Sequence, residues 1–95
     1  MRDQSVAEAA RVNRAAPAGD WFDCADVDLT ADARRLLVEI PMGFGAMLGQ
    51  APERALEWRM ATRRIFTTYF GHGYRVVEFF LDRESRKGSY LLVNS

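Results

Sequence analysis

The stretch "ERALEWRMATRRIFTTYFGHGYRVVEFFL", residues 53–81, changes its period halfway along. From Glu53 to about Phe70 the apolar residues Ala55, Trp58, Ala61, Ile65, Phe66 and Tyr69 recur every three or four positions. That spacing lines one face of an amphipathic helix. Pro52 stands in the first turn, where a missing N–H costs nothing. Glu53 and Glu57 lie near the start and Arg63 and Arg64 nearer the end, as the helix dipole prefers. Gly71 and Gly73 supply a left-handed stop. The spacing therefore predicts a helix over about 52–70. Beyond it "YRVVEFFL" (74–81) is β-branched and aromatic and reads as a strand. "DRESRKG" is a polar loop with Gly88 near its end, and "SYLLV" (89–93) returns as a second strand of a hairpin.

Upstream, "LLVEIP" (36–41) is a short apolar run closed by Pro41, too short for a helix and suited to a buried strand at 36–40. "MGFGAMLGQ", between that strand and Pro52, has room for one short helical turn. Residues 1–34 read as an irregular arm: "APAG" (16–19) is turn chemistry, and "DWFDCADVDLTADAR" (20–34) is acidic with one docked aromatic. The order is strand, helix, strand, strand.

Bulk properties narrow the function. A chain of 95 residues makes one domain at most, and buries only about two-thirds of its unfolded surface. Thirteen basic and thirteen acidic side chains cancel, so no global field draws it to nucleic acid or to an anionic membrane. No apolar run approaches the roughly 20 residues that span a bilayer. The N-terminal stretch lacks the apolar core of a secretory signal, and Asp3 and Glu8 argue against a transit peptide. Cys24 is the only cysteine, which suits the cytoplasm.

Candidate chemistry is sparse. Gly43, Gly45 and Gly49 follow a strand, but the third is one place late for a dinucleotide loop and no Lys-Ser or Lys-Thr follows. A flexible turn explains them. Asp20, Asp23, Asp26, Asp28 and Asp32 lack the bend glycine and closing glutamate of a calcium loop, and read as a solvated acidic loop. His72 is the only histidine, so with one thiol the usual tetrahedral zinc sites do not form in one chain; between two glycines it reads as a helix cap. Arg54, Arg59, Arg63 and Arg64 form a solvated basic face. Tyr69 alone reads as the last core aromatic before a turn.

Taken together, "AARVN" (9–13), "RRLLVEIP" (34–41), "ALEWRMATRRIFTTYFGHGYRVVEFF" (55–80) and "SYLLV" (89–93) resemble the C-terminal part of a bacterial family described as predicted acetyltransferases of the GNAT superfamily. The resemblance implies an α/β (α+β) fold, a partial GNAT-like one. It would hold a three-stranded mixed sheet (36–40, 74–81, 89–93), one helix over about 52–70, and the last strand inserted between its two predecessors. It divides the chain into an arm, 1–34, and a half-domain, 35–95. It also implies a role for Tyr69. Many members carry a tyrosine on this helix, four residues before Gly-Phe, that protonates the leaving thiolate of coenzyme A; Tyr69 and Gly73-Tyr74 match that spacing. Two departures stand against activity. The loop that grips the acyl-CoA pyrophosphate has no counterpart, Ile40 standing where its Gln or Arg would be before Gly43 and Gly45, and Thr62 replaces an asparagine often found seven residues before the tyrosine.

The chain thus resembles a C-terminal half without a cofactor half. Acetyl-CoA is expected only if a partner completes it. With the acidic arm alone before it, the strand at 36–40 should leave a sheet edge and much of one apolar face open. Three remedies are available: the arm folds back with Trp21 and Phe22 as plugs, two copies form a homodimer, or a second chain completes the sheet. The expected function is a partner or dimerisation module, or half of a split N-acetyltransferase. The alternatives are a small acyltransferase using Tyr69, with cofactor bound across a dimer, and a non-functional fragment of a longer acetyltransferase.

Overall fold

The structure, a computed structural model, describes residues 9–94. The first eight residues of the expected arm, and with them the reading of the N-terminal stretch as neither signal nor transit peptide, lie outside the described residues. The long helix runs Pro52–Gly71, with Pro52 in its first turn as expected. It buries Ala55, Trp58, Ile65 and Tyr69, four members of the apolar stripe. It stops because Gly73 takes φ +92°, a conformation that costs a Cβ-bearing residue about 1 kcal/mol or more. The His72 amide then closes on the Tyr69 carbonyl at 3.0 Å.

Among the described residues eight elements follow in chain order: β1 (Ala10–Arg11), β2 (Arg14–Ala18), β3 (Trp21–Ala25), β4 (Arg35–Pro41), α1 (Phe44–Gln50), α2 (Pro52–Gly71), β5 (Tyr74–Asp82) and β6 (Lys87–Asn94). The main sheet has the order β1-β4-β6-β5. β6 is antiparallel to both β4 and β5, and β1 runs parallel to β4, so the sheet is mixed. β6 does lie between the two strands that precede it. The fold is α+β.

Three details depart from the reading of the sequence. The sheet has a fourth strand, because Ala10–Arg11 pairs with Leu36 and Leu37 along the outer edge of β4. The arm is not irregular throughout: β2 and β3 form an antiparallel hairpin in which Ala18 faces Trp21 across Gly19 and Asp20. The segment "FGAMLGQ" is a seven-residue helix rather than a single turn, since Met47 has an apolar site to fill against α2.

Two cores result. One joins β4, β6 and the C-terminal half of α2 through Leu36, Val38, Leu92, Ile65 and Tyr69, with Val12 from the arm. The other joins α1, the N-terminal half of α2 and the hairpin through Met47, Ala55, Trp58 and Ala15. Trp21 and Phe22 are half-buried against this second core, and the Trp58 indole donates to the Phe22 carbonyl at 2.8 Å. The arm has folded back, and the edge it covers is that of β4. The opposite edge, β5, has no neighbouring strand among the described residues.

Candidate functional site

Tyr69 is the residue to which the GNAT resemblance gives a chemical role, and its ring is fully buried. The end of α2 aims it at the segment between β3 and β4. There its hydroxyl donates to the Asp28 carbonyl at 2.6 Å and accepts from the Ala31 amide at 3.1 Å. Asp28 is fixed in turn: its amide donates to the Val12 carbonyl at 2.7 Å, and its carboxylate receives the Thr30 amide and hydroxyl. Those donors hold the Asp28 carboxyl below the usual range. Next to Tyr69, at 5.3 Å and edge to face, lies Tyr74, whose hydroxyl donates to the Ala33 carbonyl. Two tyrosines therefore clamp one loop.

This geometry bears directly on what the phenol is able to do. A tyrosine hydroxyl has one proton, and this one points at the Asp28 carbonyl. Desolvation by burial raises its pKa above the ordinary 10.0, with the Ala31 amide pulling the other way. Tyr69 lines neither of the two clefts described below. Proton donation to a bound thiolate requires residues 28–31 to leave the hydroxyl first.

A second cluster was not visible in the sequence. Asn13 and Glu39 are both buried, at 2% and 4% exposure. The Asn13 side-chain amide donates to the Glu39 carbonyl at 2.9 Å, and its oxygen accepts the Glu39 amide at 2.7 Å. The side chain so replaces one rung of a β-ladder just where β1 ends. The Glu39 carboxylate receives the Ala15 amide at 2.8 Å and the Arg11 guanidinium at 2.6 Å. Among the described residues no buried side-chain nitrogen or oxygen lacks a partner, and the bonds of this cluster latch the arm to β4. Cys24 accepts a weak hydrogen bond from the Asn13 amide, and burial pushes its thiol up, away from the reactive thiolate.

The other candidates disperse. Asp23 pairs with Arg54 and Asp26 with Arg14 at the surface, and among the described residues no three His, Cys, Asp or Glu side chains gather around a metal position. His72 sits at the end of α2 beside Tyr69, apart from Cys24. Gly43 caps α1 with φ +75° and lines an open cleft of about 710 Å³, with Trp21, Phe22, Arg86 and Lys87. The Lys87 ammonium already lies 5.5 Å above the Phe22 ring. A smaller cleft of about 230 Å³ is walled by Phe44, Trp58, Phe66 and Tyr90.

The feature that stands out is a surface. On β5, Val76, Val77, Phe79 and Leu81 are 42–49% exposed, and on α2 Phe70 is 50% exposed. An aromatic run connects the two elements. Phe70 stacks on Phe66 at 5.5 Å, Phe66 meets the edge of Tyr90 at 5.5 Å, and Tyr90 lies 4.8 Å from Phe79. The run crosses from helix to sheet edge with both ends in solvent. Monomeric proteins seldom leave contiguous apolar surface beside a strand edge that has no neighbour.

Fold and surface together define an α+β unit of sheet and helix with one edge sealed by its own arm and the other open. No protein-family model, curated protein or solved structure matches the chain. No helix of the described residues is long and apolar enough to cross a membrane.

Proposed function

We propose that this chain is a GNAT-related C-terminal half-domain that works by association, docking its open sheet edge on a second polypeptide, and does not transfer acyl groups alone. The observation that carries the reading is the apolar strip of β5 and α2 along an unpaired edge. Two further points support it. The insertion of β6 between β4 and β5 has the order expected of a GNAT C-terminal half. The Tyr69 hydroxyl is committed to the Asp28 carbonyl and the Ala31 amide, which suits a phenol kept for structure. Acetyl-CoA belongs to the assembled state in this reading, if a partner brings the pyrophosphate loop. The single thiol, Cys24, raised and half-buried, fits a cytoplasmic setting.

Light scattering across a concentration series tests the proposal, alone and with any chain supplying the missing half. Masses above that of one 10.8 kDa chain are expected. A calorimetric titration with acetyl-CoA is the counter-test. No heat is expected at millimolar ligand. Saturable heat, with turnover abolished in Tyr69→Phe, would instead make the chain a small acyltransferase whose 26–33 loop opens to release Tyr69.

A further inference from the structure

The β5 strand from Arg75 on reads Arg75-Val76-Val77-Glu78-Phe79-Phe80-Leu81-Asp82, basic at one end, acidic at the other and, Glu78 apart, apolar between. A sequence of that form is its own complement when run antiparallel. Parity ordinarily spoils the match. Arg75 and Asp82 are an odd number of positions apart, and in a regular strand they would point to opposite faces of the sheet. The bulge between Val76 and Glu78 removes the obstacle. Through it, Arg75 pairs with Val93 and Asp82 with Lys87, two β6 positions that share a face. By the same shift Val76, opposite Leu92, and Leu81, opposite Gly88, share the face that carries α2.

We infer that a second copy of this chain is the occupant of the edge, its β5 antiparallel to the first about a two-fold axis between Glu78 and Phe79. The inference rests on the association reading above and names its partner. In this register Arg75 of each copy stands opposite Asp82 of the other, twice per dimer, on one face. Val76 stands opposite Leu81, also twice, on the other. The two aromatic runs, each ending at Phe79, meet across the axis beneath the two α2 helices. One eight-stranded sheet results, with its open edges joined and its apolar strips covered. Arg75 is exposed and has no ion-pair partner among the described residues. A heterologous strand would need the same charge order as β5 itself; the second copy has it by identity. The bulges face each other near the axis, so the ladder is carried by the two flanks.

The test is a charge swap followed by sedimentation equilibrium. Arg75→Asp alone places two carboxylates opposite each other, and Asp82→Arg alone places two guanidinium groups opposite each other, twice in each homodimer. Each variant is expected to dimerise at least about tenfold more weakly than wild type. Mixed in equal amounts, the two variants pair the introduced aspartate with the introduced arginine at one end of the interface. At the other end the native Arg75 and Asp82 still meet, and a heterodimer of near wild-type affinity is expected. Asp82 also accepts the Glu84 and Ser85 amides in the β5–β6 turn, so Asp82→Arg strains that turn. Hydrogen exchange on the wild-type chain provides a second readout. Amides of β5 that face outward in the monomer should gain protection at high protein concentration, and those of β1 should not. A wild-type dimer indifferent to both reversals, with unprotected β5 amides, would put the interface elsewhere and overturn this pairing while leaving association intact. A wild-type chain monomeric at every concentration would overturn it also; failure to associate with any completing chain as well would sink the association reading itself.

Discussion

The Tyr69 hydroxyl holds two backbone groups of one loop, and removing it separates a structural role from a chemical one. In Tyr69→Phe the ring still fills the core, but the Asp28 carbonyl and the Ala31 amide lose their partner. An unsatisfied buried group costs about 1–3 kcal/mol, which for a domain of this size lowers the melting temperature by roughly 4–8 °C per kcal/mol. A variant as stable as wild type in thermal melts would show that the clamp carries no weight. The proton gives a second handle. Burial raises the folded pKa above the ordinary 10.0, so as pH climbs the unfolded chain loses its phenolic proton first. The folded state then binds more protons than the unfolded one, and stability falls with rising pH. The contribution is complete below about pH 10 and is lost as pH rises through the folded value. Wild type should therefore lose stability in alkali more steeply than Tyr69→Phe, measured as urea midpoints. Asn13 makes a parallel case on the other side of the fold. Asn13→Ala strips both backbone groups of Glu39 of their partner, at a cost of at least about 2 kcal/mol in urea denaturation. Asn13→Asp should do no better: it accepts from the Glu39 amide but has nothing to donate to the carbonyl.

Among the elements, what was legible in the sequence followed from local periodicity. The α2 stripe, the Gly73 stop, β4, β5 and β6 were all marked by residues close together in the chain, and the boundaries moved by no more than two residues. The hairpin β2–β3 was hidden because "RAAPA" has only small apolar side chains and no polar–apolar alternation, and its stability comes from Trp58, which lies far along the chain in α2. The signal present was Gly19-Asp20, a two-residue turn with Gly19 at φ +64°, flanked by segments of equal length. The Asn13–Glu39 latch left no pattern at all, since nothing about a single asparagine shows that it will bridge to a strand 26 residues away. For the site, the sequence placed Tyr69 on the last turns of α2 but had no means of showing that a distant loop would occupy its hydroxyl. It also pointed to an open edge at β4, whereas the arm seals β4 and leaves β5. The β5–β6 hairpin carries its own prediction. A Cβ on Gly88 would stand 2.6 Å from Phe79 Cζ, so Phe79 lies across β6 only because Gly88 has no side chain. Gly88→Ala should push the ring off Tyr90 and cost about 1–3 kcal/mol of overpacking. The upfield shift that the Phe79 ring gives to Gly88 in a proton spectrum marks the same contact in the wild-type chain, and its absence there would contradict the packing.

At the scale of the whole molecule, association through a native surface must couple to unfolding. If only folded chains pair, mass action ties stability to concentration, and the unfolding midpoint rises as protein is added. For a dimer that unfolds to two chains, each tenfold increase adds about 1.4 kcal/mol per dimer, or half of that per chain, which for a domain of this length is on the order of 3–6 °C. A monomer shows no such shift. Leu81→Lys discriminates a β5 interface from any other. Leu81 is 49% exposed in the single chain, so a lysine there keeps its ammonium in water at little cost to the monomer. Across a paired edge the same lysine meets Val76 of the second copy and loses its hydration. The variant should therefore melt near the wild-type value at the lowest concentration and fall progressively below it as concentration rises, its own midpoint staying fixed. A fixed midpoint in the wild-type chain would mean that β5 stays open in solution. A wild-type shift that Leu81→Lys leaves unchanged would move the interface off β5, to a surface that the apolar strip does not mark.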